Sequence, residues 1–228
     1  MKQPHMSGSK RKKSRFRSFI LLLILLAAIA YLIMNRLPNN THITPFYAKL
    51  DKPVFYQGEA YKVSALGAKD AMKLPLGLIS EWIDPAVISE PSANSVILTT
   101  EQAVVRLQTD KAYASRNLKE IPLTSPMIKQ GKEFYVPVSI LKELYGIELR
   151  EDAETGAVSL FKPGEKIRWG TFRGKEGGEL RSGGSVTSPI MGSLADGERL
   201  MIWGEQNGWY KVQTDRRAGR LREDAAGG

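Results

Sequence analysis

The sequence predicts one apolar helix, then an α+β domain of short strands around two repeated helices, then a small all-β barrel. Three observations carry this order. Residues Phe19 to Met34 form an unbroken apolar run preceded by cations. A helix–strand–turn–strand pattern recurs at a constant offset of 62 residues between about residues 74 and 162. Beyond residue 166 the chain becomes glycine-rich, with short alternating segments between hairpin-type turns.

The apolar run, FILLLILLAAIAYLIM, has no charge, and with Ser18 and Asn35 it reaches 18 residues. That is near the lower limit for a hydrocarbon core of roughly 30 Å. Lys2, Lys10, Arg11, Lys12, Lys13, Arg15 and Arg17 precede it and only Arg36 follows, so the positive-inside rule places the N-terminus in the cytoplasm. Cleavage after Ala28-Ile29-Ala30 is the competing reading, but Tyr31 to Met34 carry the apolar run past that point. The expected organisation is a basic leader over 1–18, a transmembrane anchor over 19–35 and a spacer over 36–52. The localisation expected is the cell membrane, single-pass, with the bulk of the chain outside.

Charge location removes one class of function. Those eight cations are matched by no acid within residues 1–36, leaving 25 cations against 24 anions in the rest. The formal charge of +9 is therefore a topology signal, and no nucleic acid partner is expected. There is no cysteine, which excludes disulfides, thiolate chemistry and a lipoprotein anchor. His5 and His42 are the only histidines, so neither an imidazole metal cluster nor a Ser-His-Asp triad can be built in a folded domain.

Over 53–162, the runs VFY (54–56), SVILT (95–99), AVVRL (103–107), FYVPV (134–138) and AVSLF (157–161) read as strands. LPLGLISEWI (74–83) and VPVSILKELYG (136–146) carry apolar residues at helical spacing, each with a proline in its first turn. These are the two copies of the repeat. Pro75 aligns with Pro137, Leu78 with Ile140, Ile79 with Leu141, Glu81 with Glu143, Val96 with Val158 and Leu98 with Leu160. The helices should bury Leu78, Ile79 and Trp82, and Ile140, Leu141 and Leu144, against a sheet.

The segment YVPVSILKELYGIEL…TGAVSLF resembles the copper amine oxidase N-terminal-like domain found in secreted proteins of spore-forming Firmicutes. The resemblance covers about 58–162 and is clearest in the second copy. In the first, Trp82-Ile83-Asp84-Pro85 replaces the usual helix end. It implies an α+β domain with no copper site of its own, in keeping with the lack of His and Cys over 43–228. No cofactor or metal is expected.

Residues 166–221 are expected to form the barrel, opened by IRWGTF (167–172), with 222–228 as a tail. Asp196-Gly197 and Asn207-Gly208 are hairpin turns, because glycine tolerates the positive φ they need. The alternation between them gives strands with one buried face. With Leu180-Arg181-Ser182-Gly183 and Asn207-Gly208-Trp209-Tyr210-Lys211-Val212, this part resembles a bacterial SH3-like domain. That family closes with a strand built around Gly-Tyr-Val, where this chain has Gly219-Arg220-Leu221. Two readings follow: a last strand that fails to close the barrel, as in a reading frame that shifts near residue 215, or a divergent last strand followed by a natural polar tail.

Trp203, Trp209 and Tyr210 supply rigid amphipathic area suited to a peptide or glycan. With Arg181 and Asn207 they form the expected ligand-binding set. A Trp after Asn-Gly is core in the resembled family, so Trp209 is expected mainly inside and Tyr210, on the other face, outside. Asp84, Glu90, Glu143, Glu148, Glu151 and Asp152 are the carboxylates available for glycoside cleavage, but nothing sets two of them across a cleft, and no catalytic residue is assigned. The expected function is a non-catalytic, membrane-anchored module that binds cell-wall peptidoglycan or glycan, with the lipid bilayer holding 19–35. The alternative is the front of a family 18-type glycoside hydrolase, whose N-terminal region this domain pair resembles and whose catalytic domain is missing here. A third reading gives the repeat domain a protein partner.

Overall fold

In the computed structural model, residues 10–34 and 37–222 are described, with side chains from residue 18 onward. Leader residues 1–9, the flanking Asn35-Arg36 and tail residues 223–228 lie outside the described residues. The fold is mostly β with few helices. Helix α1 (Lys10–Met34) carries the apolar run, and its side chains from Ser18 to Met34 are all exposed. Among the described residues no helix is long and apolar enough to cross a membrane.

The stretch expected to be a spacer is instead bonded to both domains. Asn39 N–H donates to Val186 C=O (2.8 Å), Ile190 N–H to Thr41 C=O (2.9 Å) and Ile43 N–H to Ile190 C=O (2.9 Å). A 3-10 turn at Phe46–Lys49 then buries Tyr47 edge-on against Phe55, ring centroids 5.1 Å apart. Backbone pairing, one aromatic and the Arg181 guanidinium on Asn39 C=O hold this stretch, so it leaves no periodic trace in the sequence.

In the first domain, β1 (Val54–Tyr56) and β2 (Glu59–Ala60) form a hairpin whose turn residues Gln57 and Gly58 have φ of 48° and 72°. Strand β3 (Lys73–Pro75) enters α2 (Leu76–Leu78), which continues as a π-turn over Ile79–Ile83 and closes with Asp84 N–H on Ile79 C=O. Next come β4 (Ile88–Glu90), β5 (Ser95–Thr99), β6 (Val104–Gln108), β7 (Tyr113–Arg116) and β8 (Lys119–Pro122), a five-stranded meander in sequence order. The second copy follows as β9 (Ile128–Gln130), β10 (Glu133–Pro137), α3 (Val138–Tyr145), β11 (Glu148–Glu151) and β12 (Val158–Phe161). Gly146 ends α3 at φ 63°, the left-handed cap that glycine adopts without strain.

The repeat is present in three dimensions. Strands β3 and β10 pair with each other, and each feeds the helix of its own copy. Leu78, Ile79, Ile140 and Leu141 are buried as expected, whereas Trp82 and Leu144 pack at the core's margin. Val96, Leu98, Val158 and Leu160 are fully buried at matching positions. The copies diverge in pairing: β5 joins the meander, while β12 lies parallel to β1.

The barrel comprises β13 (Arg168–Thr171), β14 (Gly178–Arg181), β15 (Ile190–Leu194), β16 (Arg199–Gln206), β17 (Trp209–Gln213) and β18 (Ala218–Arg222). Their order is β13-β16-β17-β18-β14-β15. The expectation of an incomplete last strand is corrected here. β18 pairs along β17 from Trp209↔Arg222 to Gln213↔Ala218, and meets β14 at Arg181↔Arg220. Leu221 supplies the buried apolar residue, and Thr214 Oγ1 accepts from the N–H groups of Arg216 and Arg217 to make the turn. An arginine on the outer face does not prevent closure, because alternation requires only every second residue to be apolar.

Candidate functional site

The β17–β18 ribbon has two faces. Tyr210, Val212 and Leu221 point into the barrel core formed with Phe172, Leu180, Leu194 and Leu200. Trp209, Lys211 and Gln213 take the opposite face. Trp209 is thus inside, as expected, whereas Tyr210 departs from the expectation by facing the barrel core. Trp209 is buried but stands outside the core cluster, while Tyr210 packs against it under the Arg168 guanidinium, 5.5 Å from its ring. The signal available in the sequence was parity: Val212 is the obvious core residue, and Tyr210 shares its face.

Trp209 separates two open grooves. One, of about 440 Å³, lies between the Ser182–Gly184 loop and the Gly204–Asn207 end of the β16–β17 hairpin, with Lys211 and Arg220 along it. Asn207 supports that hairpin at φ 54° and is exposed. The other groove, of about 460 Å³, is lined by Pro38, Asn40, Glu176, Glu179, Val186 and Arg222, with Arg181 at its base. Arg181 is only 5% exposed, and its Nη1 donates to the carbonyls of Asn39 (2.7 Å), Val186 (2.9 Å) and Ser188 (2.7 Å). Its guanidinium is committed to clamping the 38–42 segment to the barrel.

Trp203 sits elsewhere, at the junction with the first domain, between Tyr56 (6.4 Å between centroids) and Phe161 (6.5 Å, stacked). The expected set therefore divides. Trp209 and Asn207 meet in one groove, Arg181 underlies the other, and Trp203 and Tyr210 serve packing. Sequence reasoning missed Lys211, Arg220 and the Ser182–Gly184 loop as groove residues, together with Glu59 from the first domain.

The junction is polar at its centre. Gln213 is fully buried; its Oε1 accepts from Gly58 N–H (3.1 Å) and its Nε2 donates to Ser159 Oγ (2.9 Å). Tyr47 hydroxyl donates to Ala218 C=O (3.3 Å), and Arg216 pairs with Asp152 and Glu154. Glu59 reaches from β2 to form an ion pair with Lys211, and its carboxylate lies 4.0 Å from Arg220.

Five of the six carboxylates considered for catalysis, all but Glu148 on β11, have structural partners. Asp84 accepts from Tyr145 hydroxyl (2.6 Å) and Ala86 N–H (2.8 Å). Glu143 pairs with Arg116. Glu90 is held below the usual carboxylate range by Ser95 and Arg106, Glu151 by Lys52, and Asp152 by Thr155 with Arg216. Such shifts report ion pairs and caps rather than an acid poised near neutrality. Among the described residues no group of His, Asp and Glu could hold a metal ion.

Residues 55–160 match the family model of the copper amine oxidase N-terminal domain, and residues 176–218 match that of the bacterial SH3 domain. None of the curated proteins and none of the solved structures matches the chain.

Proposed function

We propose that this chain is a non-catalytic cell-surface module, attached to the membrane through the apolar run of residues 19–35, which ends outside the described residues, and that it binds cell-wall peptidoglycan or glycan through the barrel. The observation that carries the reading is the pair of open grooves flanking Trp209 in a domain matching the bacterial SH3 model, a class suited to cell-wall binding. Membrane attachment rests on the cationic leader and on the apolar side chains of α1, which are exposed from Phe19 to Met34. On this reading the grooves work near the membrane. Met34 and Pro38 are four residues apart, a covalent reach of at most about 14 Å, and Asn39 is bonded to the barrel. The alternative is the front of a family 18-type glycoside hydrolase; β18, paired with both β17 and β14, is compatible with either reading.

Co-sedimentation of residues 37–222 with purified peptidoglycan tests the binding. A Cβ at Gly204 would meet no atom within 4 Å, so Gly204→Tyr should fill the groove without straining the fold. It should cut retention by about tenfold or more, the loss of a good hydrogen-bonded contact or two, at an unchanged melting temperature. Equal retention of the unaltered protein on an inert polysaccharide rejects the reading.

A further inference from the structure

Lys211 and Arg220 are register partners on β17 and β18, on the face turned away from the barrel core. Both line the groove beside Trp209, where the Ser182–Gly184 loop brings backbone close to them. The Lys211 stem lies against the β1–β2 turn: a Cβ on Gly58 would stand 3.0 Å from Lys211 Cγ. Arg220 makes no side-chain hydrogen bond among the described residues, and its one acidic neighbour is Glu59 at 4.0 Å. Glu205, on the facing rim, is turned to Arg168 at 3.6 Å.

Lys211 and Arg220 are adjacent cations whose one shared counter-ion among the described residues is a carboxylate from another domain, so the Glu59 carboxylate stands where a ligand anion would. We infer that Lys211 and Arg220 are a carboxylate-binding subsite of the groove, and that Glu59 is its built-in competitor. The chemistry fits the terminal carboxylate of a peptide, with the chain running past Trp209, since charge-assisted bonds to a carboxylate are among the stronger ones available. Glu59 would swing aside readily, because its side chain is 59% exposed and exposed ion pairs are weak. The subsite also gives the departure from Gly-Tyr-Val a purpose: Arg220 occupies the position of the aromatic residue.

This inference deepens the proposed function and rests on it for the larger ligand, but its test is separate. N-acetyl-dialanine and its C-terminal amide, each as the D,D and the L,L peptide, are titrated into residues 37–222 by calorimetry. The acid should bind at least about fivefold tighter than the amide, and Glu59→Gln should tighten acid binding by about two- to fivefold, the worth of an exposed ion pair. Lys211→Met with Arg220→Met should erase the preference at an unchanged melting temperature. A preference for the D,D acid points to wall peptide, and one for the L,L acid to a protein C-terminus; either supports the subsite. Equal binding of acid and amide, no binding of either, or a preference that survives the double variant overturns it. If peptidoglycan retention persists in that case, the proposed function stands without the subsite. If the acid preference appears without retention, the subsite stands and the wall reading falls.

Discussion

The first domain packs a continuous core from Val54 on β1 to Leu160 on β12, drawing on all three of its sheets, whereas the barrel's own core is six residues, Phe172, Leu180, Leu194, Leu200, Val212 and Leu221. A unit of about 55 residues is marginal on its own apolar burial. What the barrel lacks inside it gains at its edges. The 38–43 segment pairs with the Val186–Ile190 stretch, Tyr47 and Phe55 cover Ala218, and Gln213 is bonded across the junction. The difference teaches that the barrel is stable as the outer layer of a larger body, and that its ligand grooves inherit residues from its neighbours.

The largest effect that would sharpen this comparison is in the small core. Phe172 is almost fully buried, and its ring leaves no room for a Cβ at Gly174 or Gly178, each of which would lie 2.6 Å from it. Phe172→Ala should cost about 3–5 kcal/mol in chemical denaturation, with loss of Trp209 burial read by fluorescence. Arg181→Met comes next. It leaves the Asn39, Val186 and Ser188 carbonyls without their shared donor, and a loss of about 2–3 kcal/mol is expected. Rapid proteolysis near residues 38–42 would accompany it. Gln213→Ala should cost about 1–3 kcal/mol, since Gly58 N–H and Ser159 Oγ would be left buried and unpaired. More telling, it should split one unfolding transition into two.

The smallest effect is on the alkaline side and falls on the larger partner. Burial, with Glu81 and Glu133 nearby, pushes Tyr61 up to about 12. Burial and a carboxylate acceptor raise Tyr56 and Tyr145 as well. A raised folded-state pKa means stability fully present below the ordinary tyrosine value near 10 and lost as pH climbs through the folded value. Phenolate absorbance of these residues should therefore appear late, together with unfolding of the first domain. Early, reversible ionisation in the folded protein would break the assignment.

The two regions also differed in how much the sequence revealed. Strands β1, β5, β6 and β12 were legible because β-branched and aromatic residues cluster there, and both helices because Pro75 and Pro137 start an apolar face. In the barrel, Asn207-Gly208 announced its hairpin. The rest was hidden for physical reasons. Residues 38–43 are held by backbone hydrogen bonds, which any side chain permits. Strand β18 reads as polar because its outer face carries Arg220 and Arg222. Of the candidate site, Trp209 and Asn207 were readable from the turn motif, but Glu59 was not, since it lies more than 150 residues from the cations it meets.

Calorimetric unfolding of residues 37–222 tests the dependence of the barrel on its neighbours most directly. A single transition, with calorimetric and van't Hoff enthalpies in agreement, is the predicted result, and separation into two only after Gln213→Ala. Two resolved transitions in the unaltered protein, with the barrel's midpoint unmoved by Gln213→Ala, would contradict it.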